Sequence, residues 1–354
     1  AYAFGGAPNE QVCPVCTGQP GALPVLNREA VDLALRIALA LSCEVPPTSR
    51  FDRKNYFYCD LPKGYQVTQH ERPLGVAGAL ELESGRHVRI ARMHLEEDAG
   101  KAVHERDATL VDLDRAGVPL VEIVTAPDLT SAAQAQEALE ALKQLVQYTG
   151  ASRCDMEKGE LRVDVNVSVR RPGEPLRPRV EVKNLNSFRH VAAAIAYEVA
   201  RQARAYETGD PALAPAQETR LWDPAAGLTR PMRSKEEAED YRYFPDPDLP
   251  PVTVSAAQLE RLRGLVPELP AARRARYRDE LGLSEYDARV LTATRAVADL
   301  FEATARLSRR PKEAANLVAN EVLRGLNDPE VPAASVDELP FRPHDLAEVI
   351  ALAE

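Results

Sequence analysis

Three adjacent carboxylates, Glu96, Glu97 and Asp98, stand in the stretch Arg92 to Lys101, RMHLEEDAGK, flanked by His94 and Lys101. A second acid, Glu122, sits alone in the apolar run Gly117 to Val124, GVPLVEIV. Strand side chains alternate faces, so Leu120, Glu122 and Val124 share one side. A carboxylate on such a side must find a cation, a donor or a proton. The expectation is that Glu97 and Glu122 converge on one metal ion. Oxygen ligands suit Mg²⁺, which takes one or two protein carboxylates together with substrate phosphates. His94 reads as an ordinary hydrogen-bonding residue. Glu96 and Asp98 read as solvated or paired with Arg89 or Arg92. For Glu122 an ion pair with Arg115 ranks just below the metal.

The rest of the chain narrows the chemistry by what it lacks. It has no GxxxxGK[ST] loop, no GxGxxG after a strand, and no HExxH, GxSxG or kinase HRD set. A glycine-loop phosphate cradle, hydride transfer and serine hydrolysis therefore lose support. Lys54 and Lys63, in FDRKNYFYCDLPKGYQVTQ (Phe51 to Gln69), are candidate phosphate contacts. Taken singly, either reads as a solvated lysine. Residue types alone thus reach a metal-dependent nucleotide enzyme.

At 354 residues the chain is long for one domain. Its formal net charge of -10 argues against a nucleic-acid coat held by a global positive field. Five cysteines, at 13, 16, 43, 59 and 154, do not make a secreted disulfide framework. Cys13-Pro-Val-Cys16 has the spacing of half a zinc ribbon, and two reduced thiols in a turn explain it equally well. No apolar run is long enough to span a bilayer and no signal peptide is evident, so a cytoplasmic location is expected. The chain opens at Ala1 without a Met and ends in a helical pattern, as a fragment would.

Several elements must position these groups. Asn27 is placed to cap a buried helix to about Leu41, and residues 80 to 124 read as strands. Ser131 with Gln134 opens an amphipathic helix that Gly150 ends. Leu161 to Arg170 alternates strictly and pairs with Val180 to Lys183 as an antiparallel hairpin. Its polar side, with Asp164, Asn166 and Ser168, is a substrate cradle or an exposed sheet face. Ser187 caps a long helix to about Tyr206. Glu218 to Pro251 is rich in Arg, Asp, Pro and Tyr. Its Arg220, Arg233 and Arg242 face phosphate or carboxylate, or pair with nearby acids. From Ser255 the period is helical almost throughout, with helices over Glu285 to Leu307 and Pro311 to Leu326. The Arg273, Arg274, Arg276 and Arg278 cluster is a candidate RNA-backbone contact or a solvated face.

The strings CPVCTGQPGALPVLN, FDRKNYFYCDLPKGYQVTQ, RMHLEEDAGK, DLDRAGVPLVEIV, LRVDVNVSV, EVKNLNSF and DYRYFPDPDLPP, in this order, resemble the B subunits of the tRNA-dependent amidotransferase family. The likeness spans residues 1 to about 300. It implies an α+β fold: an antiparallel-sheet catalytic cradle over 1–254, then a tRNA-facing helical domain over 255–354 with the family's tail domain cut short. It implies ATP-dependent phosphorylation of the side-chain carboxylate of Asp-tRNA(Asn) or Glu-tRNA(Gln), followed by displacement of phosphate by ammonia. Glutamine hydrolysis in the amidase, or A, subunit would supply the ammonia through a tunnel, with the small C subunit bracing the assembly. The cognate aminoacyl-tRNA synthetase is a further candidate partner.

By motif match, Glu97 and Glu122 fall on magnesium positions, and Cys13 and Cys16 on a structural zinc knuckle. Lys54, Asn55, Tyr56 and Lys183 fall on cradle positions, the two lysines as catalytic candidates and the other two as substrate- or ATP-binding ones; Asp164, Asn166 and Ser168 of the hairpin's polar side and Arg233 of the Arg-rich stretch are further substrate- or ATP-binding candidates. The family's opening G-L-E-V-H strand, which carries further metal ligands, and its upstream knuckle cysteines are not in this sequence. A different class remains open: a non-catalytic tRNA-binding or assembly subunit. A related archaeal-type protein for Glu-tRNA alone would carry an inserted domain, which the sequence lacks.

Overall fold

The computed structural model describes residues 5–209, 215–232, 241–326 and 335–353. It is an α+β protein in two compact units, 1–140 with 153–264 and 141–152 with 265–354.

The first unit opens with α1 (Arg28–Ala40), capped by the Asn27 side chain on the Ala30 amide. Short strands follow: β1 (Thr48–Ser49), β2 (Asp52–Asn55) and β3 (Tyr65–Thr68). Then come β4 (Gly75–Glu81), β5 (His87–Glu97), β6 (Lys101–His104), β7 (Thr109–Asp112) and β8 (Pro119–Thr125). The helix α2 (Ala132–Thr149) starts where Ser131 Oγ accepts from the Gln134 amide. Gln134 Oε1 accepts in turn from the Thr130 amide, and Gly150, at φ +72°, ends the helix. After β9 (Val165–Val167) and β10 (Val180–Lys183), Ser187 caps α3 (Phe188–Thr208). The unit closes with β11 (Glu218–Asp223), β12 (Leu228–Pro231), β13 (Phe244–Pro245), β14 (Val252–Thr253) and α4 (Ala256–Arg263). The helical stretch that begins at Ser255 stays with this unit at first, because Gln258 and Arg261 both reach Asp32 of α1.

Two three-stranded sheets carry the site, β13-β2-β3 and β4-β5-β8, both antiparallel. They are tied along the β3 edge. Buried Gln69 accepts from the Leu95 amide and, through its carbonyl, from Arg92, while the Gln66 amide donates to the Glu97 carbonyl. Within β5 the pairing to β8 slips between Ile90 and Arg92. The extra residue reverses the alternation, as a bulge must. Val88 and Ile90 face the core before it, and Met93 and Leu95 after it.

The hairpin of β9 and β10 forms with Val180 opposite Val167 and Val182 opposite Val165. The paired part is shorter than the alternating stretch Leu161 to Arg170. Arg162 and Asp164 remain outside the ladder, bonded to Asp98 and Lys183. Sequence reading did not find β11 running parallel to β10 after the α3 crossover. Val180, Val182, Leu185, Val191, Ala194 and Trp222 form the core beneath this sheet.

In the second unit lie α5 (Pro270–Asp279), α6 (Glu285–Leu291), α7 (Arg295–Ser308) and α8 (Pro311–Asn316). A π-helical stretch, Leu317–Val322, joins α8 to α9 (Leu323–Leu326), and α10 (Pro343–Leu352) follows. The helix expected over 285–307 is two helices. Thr292 bonds its hydroxyl back to the Ala288 carbonyl, and Thr294 turns out to cap α7 on the Val297 amide. The arginines of α5 are paired rather than a free basic face, and of them only Arg278 is exposed. Arg273 is buried and pairs with Asp299 and Glu302, Arg276 with Glu268 and Glu302, Arg278 with Glu285, and Arg274 donates to Gln144.

Candidate active site

The β5–β8 register sets Glu122 opposite His94, and the β5 pleat brings Glu96 to the same face. One ligating atom each of His94, Glu96 and Glu122 lies within 4.8 Å of the others. His94 is 6 % exposed, and its Nε2 is 3.4 Å from Glu96 Oε2. Its Nδ1 is buried with no hydrogen-bond partner among the described residues. Burial works against charge on Glu96, yet the His94 imidazole, the Lys54 charge and the Thr68 hydroxyl hold its carboxyl below the usual range. An imidazole with a buried orphaned nitrogen beside two carboxylates fits a divalent cation.

The wall beside this cluster is aromatic and cationic. Lys54 Nζ stands 4.6 Å from the Tyr241 ring centroid. Tyr243 stacks on His70 at 3.9 Å and meets Tyr241 edge-on at 6.0 Å. Burial, with the negative field of Tyr241, Glu96 and Glu122 beside it, pushes the Tyr243 phenol up to about 12. It therefore stays a neutral O–H donor near the acids.

Glu97 does not join Glu122. It follows Leu95 onto the opposite face, where its carboxylate pairs with Lys63 and accepts from the Val67 amide at 2.8 Å. The expected pairing of Glu97 with Glu122 is thus corrected to Glu96 with Glu122. Lys63, a candidate phosphate contact by sequence, is held by that same carboxylate.

The family described as the GatB/GatE catalytic domain matches residues 1–260. The B subunit of the aspartyl/glutamyl-tRNA(Asn/Gln) amidotransferase of Carboxydothermus hydrogenoformans is 49% identical over 360 residues, covering 99% of this chain and 74% of its own. The protein of the same name from Geotalea daltonii is 51% identical over 360 residues, with the same coverage. That from Anaeromyxobacter dehalogenans is 54% identical over 344 residues, 94% of this chain and 70% of its own.

The chain belongs to this family.

The other candidate residues divide by sheet. Lys54 lines the cluster wall. Asn55 is its neighbour on β2, but both its donated bonds go to backbone, to the carbonyls of Tyr241 at 2.9 Å and Arg242 at 2.8 Å. Tyr56 follows, 6.2 Å from Tyr58, its phenol raised by burial to about 12. Lys183, Asp164, Asn166 and Ser168 belong to the β12-β11-β10-β9 sheet and its approach. There Lys183 pairs with Asp164 at 2.6 Å and Glu181 at 3.2 Å, and Ser168 donates to the Arg177 carbonyl. Asn166 is exposed opposite Glu181. Arg233 lies outside the described residues.

Cys13 and Cys16 face each other at 3.1 Å as free thiols. Burial opposes charge on both. The Cys16 amide and thiol still draw the Cys13 thiol below its usual range, and the Cys16 thiol rises to about 12. A tetrahedral zinc spaces its sulfurs at about 3.8 Å and takes four ligands. Among the described residues no third His, Cys, Asp or Glu completes a set around these two. The two thiols therefore do not make a zinc site by themselves.

Sequence reading did not bring His94 and Glu96 together with Glu122. The signal was there: His-x-Glu on a strand places both on one face, and that face was the one able to meet Glu122. Among the described residues no helix is long and apolar enough to cross a membrane.

Proposed function

We propose that this chain is the amide-forming component of a tRNA-dependent amidotransferase, acting on Asp-tRNA(Asn), Glu-tRNA(Gln) or both in the cytoplasm. The side-chain carboxylate of the tRNA-bound amino acid attacks the γ-phosphorus of ATP, and ADP leaves. Ammonia then attacks the acyl carbon, and phosphate leaves. The ammonia comes from glutamine hydrolysed by a partner amidase, with a small bracing protein and the cognate synthetase as further partners.

The convergence of His94, Glu96 and Glu122 carries this reading. These residues would hold Mg²⁺. Bound there, the ion would supply positive charge for phosphate oxygens and for the charge that develops as a phosphoryl group moves. Thr68 fixes the Glu96 carboxylate, so the acid meets its ligand preorganised. Lys54 adds positive charge on the same wall, and the neutral Tyr243 hydroxyl is available to orient an oxygen of the substrate.

A purified complex supplied with ATP, glutamine and each misacylated tRNA should form amide products only when ATP is present, and Glu96→Gln or Glu122→Gln should abolish them. Full amide formation by both variants would leave only the reading as a tRNA-binding protein of the complex. That second reading draws little support from α5, whose Arg273, Arg276 and Arg278 are already paired with acids.

A further inference from the structure

Three arginines of the 218–251 stretch have different fates. Arg220 is committed to Glu198 and Glu218, and Arg233 lies outside the described residues. Arg242 is exposed, with no carboxylate partner among the described residues. Its backbone is left-handed, at φ +43°, which is unfavourable for a residue with a Cβ and persists only where neighbours impose it.

Asn55 imposes it. Phe244 pairs with Arg53 and Pro245 with Asp52, and Asn55, at the end of β2, reaches the turn just before this ladder. Its amide clamps two successive carbonyls of the turn, those of Tyr241 and Arg242. The two flanking rings are the ones that line the cluster. Tyr241 lies under Lys54, and Tyr243 feels Glu96 and Glu122. The backbone of a residue with no carboxylate partner among the described residues is thus held in a clamped, left-handed turn between two rings that flank the cluster.

We propose that Arg242 binds phosphate oxygens of the substrate at the rim of the His94–Glu96–Glu122 cluster, with Asn55 as its positioning residue. This rests on the function proposed above. A guanidinium fork matches two phosphate oxygens at once, and the left-handed turn fixes where that fork originates. The phosphate comes either from the triphosphate of ATP or from the backbone of the tRNA acceptor end.

The test uses the assembled amidotransferase. Arg242→Gly removes the guanidinium and relieves the backbone, so its melting temperature should equal or exceed that of the parent. Loss of a charged hydrogen-bonding group should raise one constant by about tenfold or more. A rise in KM for ATP assigns the triphosphate. A rise in the Kd for aminoacyl-tRNA, with a weaker salt dependence, assigns the RNA backbone. Arg242→Lys should fall between, because it keeps charge without the fork.

Asn55→Ala should raise the same constant in the parent and change nothing further in the Arg242→Gly background, where no strained turn needs the clamp. If Arg242→Gly leaves both constants within about twofold of the parent while Glu96→Gln is inactive, this proposal is overturned and the proposed function stands. If Glu96→Gln stays fully active, the function itself is wrong.

Discussion

Glu122 lies directly across the β5–β8 ladder from His94, and Glu96 shares their face while Glu97 does not. Adjacent acids in one short stretch thus have opposite duties. Glu96 belongs to the open cluster, and Glu97 to an ion pair that joins β5 to the loop before β3.

That ion pair is largely buried, with side-chain exposures of 7% for Lys63 and 13% for Glu97. Breaking it from one side strands the other charge, which typically costs about 3 kcal/mol or more. Glu97→Ala should therefore lower the urea midpoint clearly, whereas Glu122→Ala, at an exposed position, should leave it nearly unchanged. Equal midpoints for the two variants would contradict the assignment.

Glu198 is fully buried on α3 and receives Arg201, Arg220, Thr229 and Gln202. Burial opposes its charge, but Arg201, Thr229 and Gln202 outweigh it and lower its pKa. A depressed carboxyl stabilises the fold above its unfolded value, near pH 4.3, and that contribution disappears as pH falls through the folded value. Urea midpoints measured between pH 7 and pH 3 should fall less steeply for Glu198→Gln than for the parent, from a lower start at pH 7. Parallel profiles would show that Glu198 carries no such linkage.

Gly78 sits where α1 ends against β4. A Cβ there would lie 2.4 Å from Cys43 Sγ and 2.8 Å from the Leu41 carbonyl oxygen. The second neighbour is backbone, itself bonded to the Ala79 amide, so it cannot give cheaply. Gly78→Ala should cost about 1–3 kcal/mol of stability without touching the cluster. A variant as stable as the parent would mean the α1–β4 approach is looser than described.

In the second unit, Glu302 accepts from Arg276 at 2.6 Å and the Tyr277 hydroxyl at 2.8 Å, and faces Arg273 at 3.5 Å. Glu302→Ala leaves two guanidinium groups short of a partner and a buried phenol with only the longer bond to the Ala298 carbonyl, at 3.4 Å. A loss of about 3 kcal/mol is expected by chemical denaturation. If Arg273→Ala instead weakened tRNA binding at unchanged stability, the internal role given to these arginines would be wrong.

Much of the frame was legible. Asn27, Ser131 with Gln134, Ser187 and Ser255 marked helix starts because a short polar side chain before an apolar period has few other uses. The β9–β10 hairpin followed from alternation. The site was half legible. Glu122 was singled out because one acid in an apolar strand needs a reason. Its partner was misassigned because register is a long-range property, set here by Gln69, Thr68 and the slip near Ile90, none of which leaves a local pattern. The same holds for Arg273 and Arg276, whose partners Asp299 and Glu302 come from another helix.

Divalent-ion binding separates the two pairings most directly. Mn²⁺ titration of the purified complex, followed by electron paramagnetic resonance, should show a site that Glu96→Gln or Glu122→Gln weakens about tenfold or more and Glu97→Gln leaves intact. Loss of the site in Glu97→Gln, with full binding in Glu96→Gln, would contradict the cluster described here.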